Sequence, residues 1–158
     1  MVSGRCHAGG SHSNNRSVRS AAIGTWDIGP FDNDTAADFS GRLDAAALAE
    51  RPGLLRAVLE LAIAADRYLE SDEAEEAVAA AALVAAQRRG GEPIDPAYAP
   101  RAPIQVLGPE FDGLALQALD RVTGPGSELA ELWGDSGEES RWRERLARLR
   151  AVLDGVAR

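Results

Sequence analysis

The residues with the most chemistry to offer gather in one short stretch. The run Gly24-Thr-Trp-Asp-Ile-Gly-Pro-Phe-Asp-Asn-Asp-Thr35 combines a tryptophan, a Gly-Pro pair, a phenylalanine and the oxygen-bearing side chains of Asp27, Asp32, Asn33 and Asp34, with Asp38 four residues after Asp34. Hard divalent cations take oxygen ligands, so Asp27, Asp32, Asp34 and Asp38 form a candidate ligand set. Asp34 and Asp38, at i and i+4, share a face of any helix that starts here. The pattern is not that of an EF-hand, because it lacks both the turn glycine and the bidentate glutamate at the twelfth position. A structural reading competes: Gly29-Pro30 turns the chain, Trp26 and Phe31 plug a helix bundle, and an Asx residue caps the helix that follows. The candidate binding residues are therefore Trp26, Asp27, Asn33, Asp34 and Asp38, and the structural motif is Gly24, Gly29, Pro30 and Phe31. No catalytic residue is nominated.

What is missing narrows the chemistry further. The single cysteine and both histidines (Cys6, His7 and His12) precede residue 13, and none of the 158 residues is lysine. From Ile23 onward the chain has no Cys, His or Lys. That excludes a Ser/His/Asp triad, a Cys/His pair, a Schiff-base lysine, a P-loop lysine and a His/Cys zinc site from the body of the protein. Carboxylates, hydroxyls and arginine remain. A second acid group, Glu70-Ser-Asp-Glu-Ala-Glu-Glu76, suits a helix N-terminus, where the macrodipole favours negative charge. Arg141, Arg143, Arg145, Arg148 and Arg150 alternate with Glu138, Glu139 and Glu144, and read as a solvated face with intrahelical pairs.

Charge divides the chain. Residues 1–22 carry three arginines and no acid, whereas the remainder sets 14 arginines against 25 acids and is −11. An acidic body repels phosphate backbones, which argues against nucleic acid and leaves a basic protein as the partner it would favour. One cysteine cannot form an internal disulfide, and no apolar run is long enough to span a membrane. No apolar stretch follows the N-terminal arginines as a secretory signal requires, so a cytoplasmic location is expected.

Helical signals position these groups. Phe39, Leu43, Ala46 and Ala47 follow the Asx residues at helical spacing. Pro52 suits the first turn of a second helix, expected to run to about Glu70 and, being apolar nearly all round, to be the central one. Asp72 with Glu75 suggests a capping box for a third helix ended by Gly90-Gly91. Four prolines interrupt residues 92–103, and Ile104–Leu107 reads as a strand or an extended plug. Further helices are expected over Glu110–Val122, after Ser127, and after a Ser136/Glu139 capping box. In the last, Trp142, Leu146, Leu149, Leu153 and Val156 form a seam, with Trp133 and Trp142 joining the final two helices. The expected fold is all-α: one compact bundle of five or six helices over residues 23–158, with a Pro-rich connection in the middle. Residues 1–22 read either as a disordered tail or as a product of start-site choice.

The run GTWDIGPFDNDTAADF, the EEAVAAAALVAA helix and the closing SELAELW segment together resemble the bacterial domain of unknown function 4259. Gly24, Trp26, Gly29, Pro30, Phe31, Asn33 and Asp34 carry the resemblance, which extends from Gly24 to about Leu153. It implies a small helical bacterial protein, often beginning at the Gly-x-Trp motif, and no activity. Function is thus expected to be that of a non-catalytic acidic module binding a protein partner, without a cofactor. The alternative is a carboxylate-based hydrolase dependent on a divalent cation.

Overall fold

A computed structural model describes residues 29–94, 97 and 99–155. The expectations for the 1–22 tail, Gly24, Trp26, Asp27 and Val156 lie outside the described residues. The elements are α1 (Asp34–Ala45), a 3-10 turn (Leu48–Glu50), α2 (Arg51–Ala64), α3 (Ser71–Ala86), α4 (Glu110–Thr123), α5 (Glu128–Ser136) and α6 (Glu139–Leu153). Six α-helices and no strand occur among the described residues, as the all-α reading requires. One apolar core unites them.

The central helix is α3, not α2. Its Ala74, Ala77–Ala82 and Leu83–Ala85 are buried, and α1, α2, α4, α5 and α6 all pack against it. Alanines make this possible, since a surface without long side chains lets backbones approach from several sides at once. In α2, by contrast, Gly53, Ala57, Glu60, Leu61 and Ala64 form an exposed stripe. A count of apolar residues does not reveal this stripe, because the small ones, Gly53 and the alanines, tolerate solvent without cost.

α2 also ends six residues earlier than its pattern suggests. Two long-range partners draw off the backbone groups that would continue it. The Ala65 carbonyl accepts from Arg121 Nε at 2.8 Å, and the Leu69 N–H donates to the Gly126 carbonyl at 2.8 Å. Leu69 then forms a parallel bridge with Ser127, the Glu128 N–H donating to the Leu69 carbonyl at 2.9 Å. Both expected capping boxes fail, the first through long-range partners and the second through a local one. At the start of α3 the Ser71 N–H is satisfied by Glu128 Oε2 at 2.7 Å, while Asp72 accepts from the Thr35 hydroxyl. Ser136 belongs to the end of α5, where its hydroxyl donates to the Trp133 carbonyl, and α6 starts without a side-chain cap.

Other expectations hold. Asn33 and Ser127 are N-caps, accepting from the N–H groups of Ala36 and Ala130. Residues 104–107 are an extended plug: Leu107 is buried and Val106 is 93 % exposed. The Gln87 side chain acts here as a substitute strand partner, donating to the Gln105 carbonyl and accepting from the Leu107 N–H. The α6 seam is buried at Trp142, Leu146 and Leu153 and half-buried at Leu149. Trp142 stacks on Trp133 with centroids 6.1 Å apart.

One buried group is mismatched. The Ser40 hydroxyl on α1 is enclosed and has no hydrogen-bond partner among the described residues. Removing an unsatisfied buried hydroxyl removes its desolvation penalty, and alanine is the better helix former. Ser40→Ala is therefore expected to leave stability unchanged or raise it by up to about 1 kcal/mol, as read from the thermal unfolding midpoint.

Candidate functional site

The motif opens on a closed turn. The Gly29 N–H donates to Asp32 Oδ2 at 3.0 Å and the Asp32 N–H donates to the Gly29 carbonyl at 3.1 Å. A side chain at position 29 would collide with that carboxylate. The turn drives Phe31 into the core and delivers Asn33, itself buried, as the α1 cap, its Oδ1 2.7 Å from the Ala36 nitrogen. Asp34 and Asp38 follow on α1, both exposed to solvent. Of the candidate ligand set, then, Asp32 is tied to its own turn, Asp34 and Asp38 face water, and Asp27 lies outside the described residues. Among the described residues no group of three or more His, Cys, Asp or Glu side chains is placed to hold a metal ion.

The turn forms one wall of a groove of about 420 Å³. Ala82 and Ala85 of α3, Ile94, and Leu149 and Val152 of α6 supply apolar surface, with Gly29–Asp32 alongside. The alanine face of α3 is what leaves the space, because larger residues there would fill it. Charged groups stand around it: Arg145 pairs with Glu92 at 3.0 Å, and Arg148 pairs with Glu144 at 3.2 Å.

A second surface has the opposite character. Tyr68, in the segment between α2 and α3, is half exposed. Partial desolvation, and after it the negative fields of Glu128, Glu131 and Glu70, raise its phenol above the usual 10.0. The bridge between Leu69 and Ser127 brings these residues together, since it sets the N-termini of α3 and α5 side by side. No local sequence signal marks this face, because Glu70 and the pair Glu128 and Glu131 come from distant parts of the chain.

Several arginines hold the scaffold together. Arg51 donates to the carbonyls of Leu43, Ala46 and Pro103, and Arg121 to those of Ala65, Pro125 and Gly126. Arg88 pairs with Asp112 at 2.7 Å and donates to the Gly108 carbonyl. On α6, Arg141, Arg143 and Arg148 make the expected intrahelical pairs. Arg145 and Arg150 reach other segments, at Glu92 and Asp120. No described helix is long and apolar enough to cross a membrane.

Comparison with known proteins returned no match among curated proteins or solved structures. A family model described as a domain of unknown function (DUF4259) matches residues 24–145. That span takes in the Gly29–Asn33 turn, the alanine-faced α3 and the stacked tryptophans. The chain belongs to the DUF4259 family.

Proposed function

We propose that this is a non-catalytic acidic helical module that binds a basic segment of a protein partner through the face around Tyr68. The observation that carries the reading is a half-exposed tyrosine within the field of three carboxylates. Exposed aromatic rings anchor protein interfaces, and a ring edged by acids suits an arginine or lysine, which gains cation–π and ionic contacts together. The −11 charge from Ile23 onward adds long-range attraction for such a partner and speeds encounter. The chemistry of the body fits binding better than turnover: it has no cysteine, histidine or lysine to act as nucleophile or base near neutral pH.

The test uses fluorescence anisotropy with a short fluorescein-labelled Arg-Ala repeat peptide. Binding is expected at low salt and should weaken steadily as salt screens the carboxylates. Tyr68→Ala should weaken it about threefold, the effect of one exposed cation–π contact. Asp154→Asn, which also removes an exposed acid, should change it little. If the two variants behave alike, the peptide is sensing net charge and the Tyr68 face is not the site.

A further inference from the structure

We propose that the exposed face of α2 is a self-association surface, on which α2 of a second copy of this chain packs antiparallel. At about 100° per residue, Gly53, Ala64, Ala57 and Leu61 fall within about 80° of the helix surface, and all four are exposed. Leu61 is 52 % exposed, and the space over Gly53 is open. A leucine set among glycine and alanine lets a second helix come close, with each large side chain over a small one.

The order of charges identifies the occupant. Arg56 and Glu60 line one edge of the face, with side chains 41 % and 55 % exposed. Their mutual pair is 3.6 Å long, as is that of Arg56 with Glu110. Neither is short enough to be a hydrogen bond, so both groups keep bonding capacity. A two-fold axis crossing the helices near Val58 reverses their direction and sets each edge against the same edge of the other copy. Arg56 then lies opposite Glu60 of the second copy, and Glu60 opposite its Arg56. The same register sets Gly53 against Ala64 and Ala57 against Leu61. Arg51, the other charge on α2, is buried, so the face is neutral within an acidic body. It attracts no basic partner and is a place where two copies repel little. Its size sets the strength. A helix face about 21 Å long and about 10 Å wide falls well short of the ~800 Å² that each partner buries in a standard interface. The dimer is therefore weak, with a Kd on the order of 100 μM.

Sedimentation velocity of the full chain, from about 10 to about 500 μM, tests this without any peptide. Salt of about 0.15 M screens the repulsion between the acidic bodies. The wild type should pass from monomer to dimer over that range. Glu60→Arg sets two arginines against two arginines and should raise the Kd at least tenfold; Arg56→Glu, with four facing acids, should do the same. An equal mixture of the two variants should associate again, to within about threefold of wild type, because each arginine then meets a glutamate. Each substitution shifts the charge of −8 by two, so both variants stay negative and bulk attraction cannot drive the mixing. Leu61→Glu should weaken the dimer at least tenfold through the apolar contact. Circular dichroism checks that each variant keeps its helices. Three results would overturn the proposal: a wild type that stays monomeric throughout, a dimer that ignores Glu60→Arg and Leu61→Glu, or a mixture no tighter than either variant alone. The Tyr68 face stands or falls separately, because binding of the Arg-Ala peptide is read at concentrations where this chain is a monomer.

Discussion

Replacing Arg51 by methionine is expected to destabilise the protein by about 3 kcal/mol, a fall of roughly 10 °C in unfolding midpoint. Arg51 is only 9 % exposed. Its guanidinium donates to the Leu43 carbonyl at 2.9 Å, the Ala46 carbonyl at 3.0 Å and the Pro103 carbonyl at 2.7 Å. Leu43 and Ala46 stand at the end of α1, where the macrodipole is negative and the Leu43 carbonyl otherwise has only the Ala46 N–H, at 3.3 Å. A planar cation with a fork of donors bonds two carbonyls at that end and pins the Pro-rich connection with a third bond. Methionine fills similar volume but removes the donor from all three carbonyls, the Leu43 one keeping only the 3.3 Å bond from the Ala46 N–H, and the loss of these bonds carries the main penalty. Arg51→Lys should recover less than half of the loss, because one ammonium cannot span three carbonyls on two segments. Urea unfolding followed by circular dichroism measures both. A loss under about 0.5 kcal/mol for the methionine variant would mean that the three carbonyls find water as easily as they find arginine.

Gly126→Ala is expected to cost about as much, roughly 3 kcal/mol, by a different route. Gly126 has φ +75°, and a Cβ there would run into the Arg67 carbonyl. Alanine in the left-handed region costs about 1 kcal/mol on its own, and the backbone collision adds to it. Gly137 supplies the control. Its φ is +80° but nothing lies near its Cβ position, so Gly137→Ala should cost only the conformational part, about 1 kcal/mol. The difference between the two variants measures the close approach of residues 67 and 126. That approach also holds the Leu69–Ser127 bridge, and with it Tyr68 beside Glu128 and Glu131. Gly126→Ala should therefore weaken binding of the Arg-Ala peptide as well, whereas Gly137→Ala should not.

The parts of this fold that are written locally are legible in the sequence. Asn33 and Ser127 cap because short polar side chains can reach the N–H three residues on, whatever lies elsewhere. The α4 and α6 stripes follow from spacing alone, as does the breaking of helices by the prolines of 92–103. Contacts between distant segments are not legible in this way. The end of α2 is set by Arg121 and Gly126, the cap of α3 by Glu128, and the role of Arg51 by carbonyls of two other segments. None of these leaves a periodic trace. Alanine misleads in a specific way: it counts as apolar equally in α2 and α3, yet it lies on the exposed stripe of one and in the core of the other. The candidate site is legible in part. The Gly29–Asn33 motif reads as a turn and cap from its residue types, but the groove beside it needs α3 and α6, and the Tyr68 face needs the bridge to Ser127.

The most direct test of the binding role is amide chemical-shift mapping of the full chain with the Arg-Ala repeat peptide. Binding at the proposed face would confine the perturbations to Tyr68–Asp72 and Ser127–Glu131, the two strips joined by the Leu69–Ser127 bridge. Perturbations spread evenly over exposed acids such as Asp34, Asp38 and Glu144, or centred on the groove near Leu149 and Val152, would contradict it.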